Sequence, residues 1–365
     1  MLDDLSLERM PSRNGAVRAA EDCAQGSVER LLGDCLRAPD PSAELTEQHR
    51  SLLAALDRGL DAGLGAGDGD ALLDVHRSAY AVYETVLGHP LSAGARHERS
   101  AWFNAFRLAY EDRVLAADLA EVSDRLPDPA RPAGPELVRD WFLAEAATRD
   151  PIDQEVEGYL ADEASMEQLA AFIQADGYLN YRFYDALVLA QPHFLESVKH
   201  EISHHMWDEC GEGDGNAAHT LQFTRSLRRL GLDLPAIPPW EDWRPYAGHN
   251  LYFVLATNRR HYFKALGSLT MPELFDVERD AAVVRGLRRH GYRPESDFEF
   301  FYNHMAGDVE HGPEWLDGVV LPIVTAEPEA GRELMLGGAL RMLAMRRYNQ
   351  YLADRIGLAS SAVGA

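Results

Sequence analysis

The chain has 365 residues, 46% of them hydrophobic, which is enough for one large globular domain or two of ordinary size. Its formal net charge of −24, without a basic stripe to offset it, argues against nucleic acid as a partner. The sequence shows no apolar run of the roughly 18 residues that span a membrane, no signal peptide, and only three scattered cysteines, which together favour a cytoplasmic protein without membrane contact.

Helical periodicity dominates from the first third of the chain onward, which predicts an all-α protein. Amphipathic segments are expected at 43–60, 70–88, 98–123 and 135–147. A stretch rich in Pro and Ala at 126–135 predicts a boundary after them. We therefore expect residues 1–145 to form a helical packing or dimerisation region, and the protein to be a homodimer.

The second region is expected to span residues 150–360. Its helices are predicted at 151–162, 165–175, 179–189, 193–210, 216–231, 246–268, 272–290, 296–312 and 330–354. A helical bundle of this size can hold a site between facing helices.

The helix predicted at 193–210 contains an H-E-x-x-H pattern that runs from His200 to His204. In zinc peptidases two such histidines bind zinc while the glutamate acts as the general base. Helical geometry places both histidines nearly opposite the apolar stripe, whereas Glu209 lies within that stripe. The stripe consists of Leu195, Val198, Ile202 and Met206. This geometry argues against a zinc peptidase, which we keep as the less favoured alternative.

A second pattern, H-x-x-x-D-x-x-H, is formed by His304, Asp308 and His311. At about 100° per residue the three side chains fall within roughly 60° of one another on a helix. They border an apolar stripe, so they are expected to face inward. A buried carboxylate is costly unless it is paired, protonated or bound to a cation, and the pattern therefore indicates a metal site.

Other predicted helices also direct polar groups into their apolar faces. His219 and Glu273 lie in such stripes, as Glu209 does. Three histidines and three carboxylates match the mixed oxygen and nitrogen ligands that bind two iron or manganese ions in helical bundles. A non-catalytic helical binding protein with a buried salt-bridge network is the alternative from another class.

The order of three segments resembles the haem-oxygenase-like diiron oxidases and oxygenases. The segments are DECGEG at 208–213 followed by His219, GSLTMPE at 267–273 leading into GLRR at 286–289, and the H-x-x-x-D-x-x-H run. The resemblance covers roughly residues 150–355 and implies a haem-oxygenase-like helical bundle with an N-terminal helical extension. It implies two Fe²⁺ ions as cofactor and O2 as co-substrate. The implied iron ligands are Glu209, His219, Glu273, His304, Asp308 and His311, with Glu212 as an alternative to Glu209.

The N-terminal region is similar in placement to the dimerising region of N-oxygenating members of that family. This similarity implies N-oxygenation of a small amine or amino-acid-like substrate in natural-product biosynthesis. Some such members carry a further carboxylate three residues before the first ligand histidine, where this chain has Asn216. Oxidative C–C cleavage and desaturation are therefore alternative reactions for the same site. An external reductant is a possible partner. No catalytic residue other than the metal ligands is predicted.

Overall fold

The computed structural model describes residues 27–38, 45–128, 133–235, 238–356 and 358, and for 306–310 it describes the helical backbone without the side chains. Within these residues the chain forms sixteen α-helices and no β-strand, which confirms the all-α prediction. None of the described helices is both long and apolar enough to cross a membrane. In chain order the helices are α1 Val28–Arg37, α2 Glu47–Leu60, α3 Gly69–Leu87, α4 Ala101–Val122, α5 Pro135–Ala147, α6 Pro151–Asp162, α7 Met166–Ala190, α8 Glu196–Glu209, α9 His219–Arg229, α10 Trp243–Ala256, α11 Tyr262–Phe275, α12 Val277–Arg289, α13 Pro294–Asp297, α14 Glu299–Trp315, α15 Leu321–Ala326 and α16 Ala330–Ile356.

Two compact units make up the chain. The first comprises Met1–Ala117 and Pro235–Asn250, and the second comprises Asp118–Leu234 and Leu251–Ala365. These limits differ from the predicted division between residues 145 and 150. The predicted packing or dimerisation role of residues 1–145 stays a prediction.

The first unit has its own apolar core, with Leu52, Leu56 and Phe103 fully buried. Three polar side chains within this core bond to one another, as buried polar groups commonly do. The His76 Nδ1 and the Tyr110 hydroxyl are 2.8 Å apart, and the Asn250 amide donates to the same hydroxyl at 3.1 Å.

The second unit is built around the pair of helices α11 and α16. Gly267 and Gly337 allow the two backbones to approach, because a Cβ at either position would collide with a carbonyl of the other helix. Close backbone contact of this kind is a common reason for glycine within a helix interior. It fixes α11, which carries Glu273, in the middle of the unit.

Helix boundaries near Glu273 differ from the prediction. The single helix expected at 246–268 is broken between α10 and α11, where Arg259–His261 form a short 3₁₀ turn. Pro272, expected to begin a helix, instead lies inside α11, which ends three residues later at Phe275. Proline lacks the N–H that continues a helix, and it is tolerated here close to the helix end. Glu273 therefore belongs to the last turn of α11 and not to α12.

Candidate metal centre

A first group of metal-binding side chains joins three helices of the second unit. Glu209 ends α8, His219 begins α9, and His304 lies in α14. One ligand atom from each of the three lies within 4.8 Å of the others. The Glu209 Oε2 is 3.1 Å from the His219 Nδ1, and the rings of His219 and His304 are 4.5 Å apart.

The electrostatics of this first group favour a charged carboxylate. Burial alone would raise the pKa of Glu209, but the hydrogen bond and charge of His219, with His304 and His311, lower it below the ordinary value. The His304 Nδ1 donates to the Phe300 carbonyl at 2.8 Å, which leaves Nε2 as the ligand atom. A second hydrogen bond of this kind is how proteins commonly orient a ligand histidine.

A second group consists of His205 in α8, Glu273 in α11 and His311 in α14. Its ligand atoms also lie within 4.8 Å of one another. The His311 Nδ1 is 3.8 Å from the Glu273 Oε2, and the His311 Nε2 is 3.9 Å from the Asp208 Oδ2. The approach of α14 to α11 depends on Gly312, since a Cβ there would lie 2.7 Å from the Glu273 carbonyl oxygen.

One cavity of about 90 Å³ connects the two groups. Its lining includes members of both, among them Glu209 and His304 from the first and His205, Glu273 and His311 from the second. The rest of the lining includes a buried ion pair, in which the Arg279 Nη2 is 2.7 Å from the Asp176 Oδ1. Members of both groups therefore face the same cavity.

A second, more open cavity of about 400 Å³ is lined by residues next to these ligands. Asp208, Glu212 and Glu314 contribute carboxylates to its lining, together with His219 and His304. Among the described residues that line it, none is a lysine or an arginine. The space beside the first group is therefore acidic.

Five of the six predicted ligands are brought together by the fold. Glu209, His219 and His304 lie in the first group, and Glu273 and His311 lie in the second. Asp308 is part of the helical backbone between the two α14 histidines, but its side chain is outside the described part of the structure, so its role stays a prediction.

Glu212, the predicted alternative to Glu209, lies in the turn between α8 and α9. Its φ is +52°, between two glycines that also have positive φ. Among the described side chains it joins neither ligand group. Glu209 itself lies beside His219, so Glu212 is not needed as a ligand in its place.

His205 is the ligand candidate that sequence reasoning missed. It is 4% exposed, whereas the predicted stripe member Met206 is only half-buried. Val198 and Ile202 are fully buried on the same helix, and the steps from 198 to 202, 205 and 209 follow helical spacing. That spacing is the signal that could have found it. The histidines of the H-E-x-x-H pattern, His200 and His204, are exposed.

Residues 171–347 match the model of a protein family described as iron-containing redox enzymes. The chain is similar to that family over slightly less than half of its length. All residues of both ligand groups lie within the matched range. The match also confirms the haem-oxygenase-like fold that the sequence motifs predicted.

Solved structures similar to this chain include two of a CADD-like protein of unknown function from Nostoc punctiforme. One has a TM-score of 0.50 and 18% identity, and covers 60% of this chain and 97% of its own. The other has a TM-score of 0.48 and 18% identity, and covers 63% of this chain and 99% of its own. At this identity the first likeness supports the fold alone. A comparison with curated proteins found no match.

Proposed function

We propose that this protein is a non-haem diiron oxidoreductase that uses O2 to oxidise a small amine or amino-acid-like substrate, by N-oxygenation. The observation that carries the proposal is the presence of two ligand groups, each with carboxylate and imidazole donors, on one cavity. Such mixed donors suit iron in helical bundles, and the similarity of residues 171–347 to an iron-containing family agrees with them.

Each group would hold one ion. Glu209, His219 and His304 would bind the first, and His205, Glu273 and His311 would bind the second. Asp308 is a further proposed ligand from α14. Two bound Fe(II) ions would supply the electrons that reduce O2.

Several side chains of the chain itself prepare this site. The hydrogen bond from the His304 Nδ1 to the Phe300 carbonyl fixes that ring and its tautomer. The Phe300 ring lies 4.1 Å from the His304 ring and, with Phe183 and Leu187, presents apolar surface to the cavity. Such a lining keeps water away from the reacting groups.

The acidic second cavity supports an amine as substrate. Its lining of Asp208, Glu212 and Glu314 would attract a positively charged molecule to the edge of the first group. An amine must lose a proton before its nitrogen can be oxidised, and a neighbouring carboxylate can accept that proton. Asp208 lines both cavities and is the candidate for this role.

Oxygen uptake by the anaerobically Fe(II)-loaded protein tests the proposal. We expect uptake that depends on an added amine, together with a product that has gained oxygen on nitrogen. A cleaved or desaturated product would contradict N-oxygenation but keep the diiron assignment. Absence of iron binding, or bound iron that does not react with O2, would overturn the whole proposal.

The role of the acidic cavity can be tested separately with Glu212→Gln. We expect the KM for amines to rise by up to about fivefold, the order expected for one exposed charge pair, without loss of iron. Glu163→Gln, which removes an exposed carboxylate at the end of α6, is the matched control. An unchanged KM in Glu212→Gln would show that the cavity does not recognise the amine.

A further inference from the structure

A third group of possible metal ligands lies beside the second group and shares one residue with it. Glu201 and His205 in α8 and Glu314 in α14 place one ligand atom each within 4.8 Å of one another. The His205 Nε2 is 3.6 Å from the Glu201 Oε1. Neither glutamate belongs to the groups assigned above to the two iron positions.

Solvent exposure decreases from Glu314 through Glu201 to His205. Glu314 is exposed, the Glu201 side chain is 20% exposed, and His205 is 4% exposed. His205 then belongs to the group with Glu273 and His311, which faces the enclosed cavity. The three ligand sets thus form a continuous series from the surface to the interior, with His205 common to the outer and inner parts.

The local structure holds the Glu201 carboxylate in place. Residues Leu316–Val320 form a π-helical turn directly after α14, a rare element that is often found at functional sites. Gly318 lies in this turn, and a Cβ there would be 2.8 Å from the Glu201 Oε2 and closer to its carbon atoms. The Glu201 side chain therefore packs against Gly318, where any larger residue would collide with it.

The neighbouring tryptophan positions the shared histidine. Trp315 is fully buried and its ring lies 4.9 Å from the His205 ring, edge to face. A neutral imidazole has one unprotonated nitrogen at a time that can bind a metal. His205, held against Trp315, would therefore bind an outer and an inner cation in turn and not both at once.

From this arrangement we propose that Glu201, His205 and Glu314 form an outer site that captures a divalent cation and passes it to the inner position at His205, Glu273 and His311. The inference rests on the proposed two-iron function. Exposed carboxylates would raise the local cation concentration, and because His205 belongs to both groups, the ion would have only a short distance to move between them. The outer glutamates speed loading and do not hold the final ion.

The rate of Co(II) uptake by the metal-free full chain, followed by visible absorption, tests the proposal. Co(II) is a suitable probe because it binds the same imidazole and carboxylate donors. We expect Glu314→Gln and Glu201→Gln to slow uptake on the order of tenfold, the scale of a local electrostatic or outer-ligand effect, with the final metal count unchanged. Glu196→Gln, an exposed glutamate on the same helix, is the control for loss of one charge.

Gly318→Ala provides a second test that leaves the charge unchanged. The added methyl group would displace the Glu201 carboxylate, so uptake should slow as in Glu201→Gln. Wild-type uptake rates in all three variants would overturn the inference. A lower final count in Glu314→Gln or Glu201→Gln would also overturn it, because the glutamates would then be permanent ligands. A wild-type chain that binds fewer than two ions would instead contradict the proposed diiron function.

Discussion

The two ligand groups differ in the distances between their ligand atoms. In the first, the Glu209 Oε2 and His219 Nδ1 are 3.1 Å apart. In the second, the His311 Nδ1 is 3.8 Å from the Glu273 Oε2. The carboxylate and imidazole of the first group thus already lie close together, whereas an ion in the second must draw its ligands together. Preorganised ligands lose less conformational freedom on binding, so the first position should hold its ion more firmly.

Their construction differs as well. Two residues of the first group, Glu209 and His219, flank the connection between the consecutive helices α8 and α9. The second group takes its residues from α8, α11 and α14, no two of which are consecutive, and it depends on the close approach of α14 to α11 at Gly312. Changes in helix packing should therefore affect the second position more than the first.

Loss of Glu209 should have the largest effect. Glu209→Ala removes the carboxylate of the first group, so iron content should fall from two to about one per chain and O2-dependent turnover by at least about 100-fold. Iron analysis and oxygen uptake measure both effects. His200→Ala, which removes an exposed histidine of the same helix, should change neither. If His200→Ala abolished activity and Glu209→Ala did not, the zinc peptidase interpretation would gain support.

His205→Ala should damage the second position and spare the first. We expect about one iron per chain, bound with the affinity of the tighter wild-type position, and a loss of turnover close to that of Glu209→Ala. Iron titration in the absence of O2 measures the remaining affinity. Two irons of unchanged affinity would remove His205 from the ligand set.

A smaller effect is expected from Gly312→Ala. The added Cβ would lie 2.7 Å from the Glu273 carbonyl oxygen and would push α14 away from α11. The affinity of the second position should fall by roughly tenfold, the scale of disturbed ligand orientation, while the first is unchanged. Gly158→Ala is the matched control, because a Cβ there meets no atom within 4 Å. Equal weakening of both positions would show that the packing is not specific to the second.

The smallest expected difference concerns the wild-type protein itself. When a chelator is added to the Fe(II)-loaded chain, release should occur in two phases, with the second position emptied several-fold faster than the first. His205→Ala should lack the fast phase. A single phase for both ions would contradict the distinction between a preorganised and a looser position.

The sequence patterns select all three residues of the first group and two of the three in the second. Glu209, His219 and His304 each fall on the inward face of a predicted helix, and the fold brings them together, while their role as iron ligands stays a prediction. His205 was missed because Met206 was assigned to the apolar stripe, although His205 is the buried residue. Burial of a polar side chain depends on what the opposing helices offer, and a single-helix pattern does not contain that information.

The position of Glu273 shows a second limit of the sequence patterns. The helix predicted at 272–290 places Glu273 near a helix start, yet it lies in the last turn of α11. Its place in an apolar stripe of that predicted helix is therefore wrong. Its place in the GSLTMPE motif does not depend on the helix boundary, and the fold brings it close to His311.

Mössbauer spectroscopy of the iron-loaded, O2-exposed protein tests the proposed two-iron site most directly. Two ions bound to one cavity would lie close enough for their spins to interact, as in other two-metal sites. We expect two irons per chain whose spins couple to a diamagnetic ground state. One iron per chain, or two magnetically isolated ferric ions, would contradict this proposal.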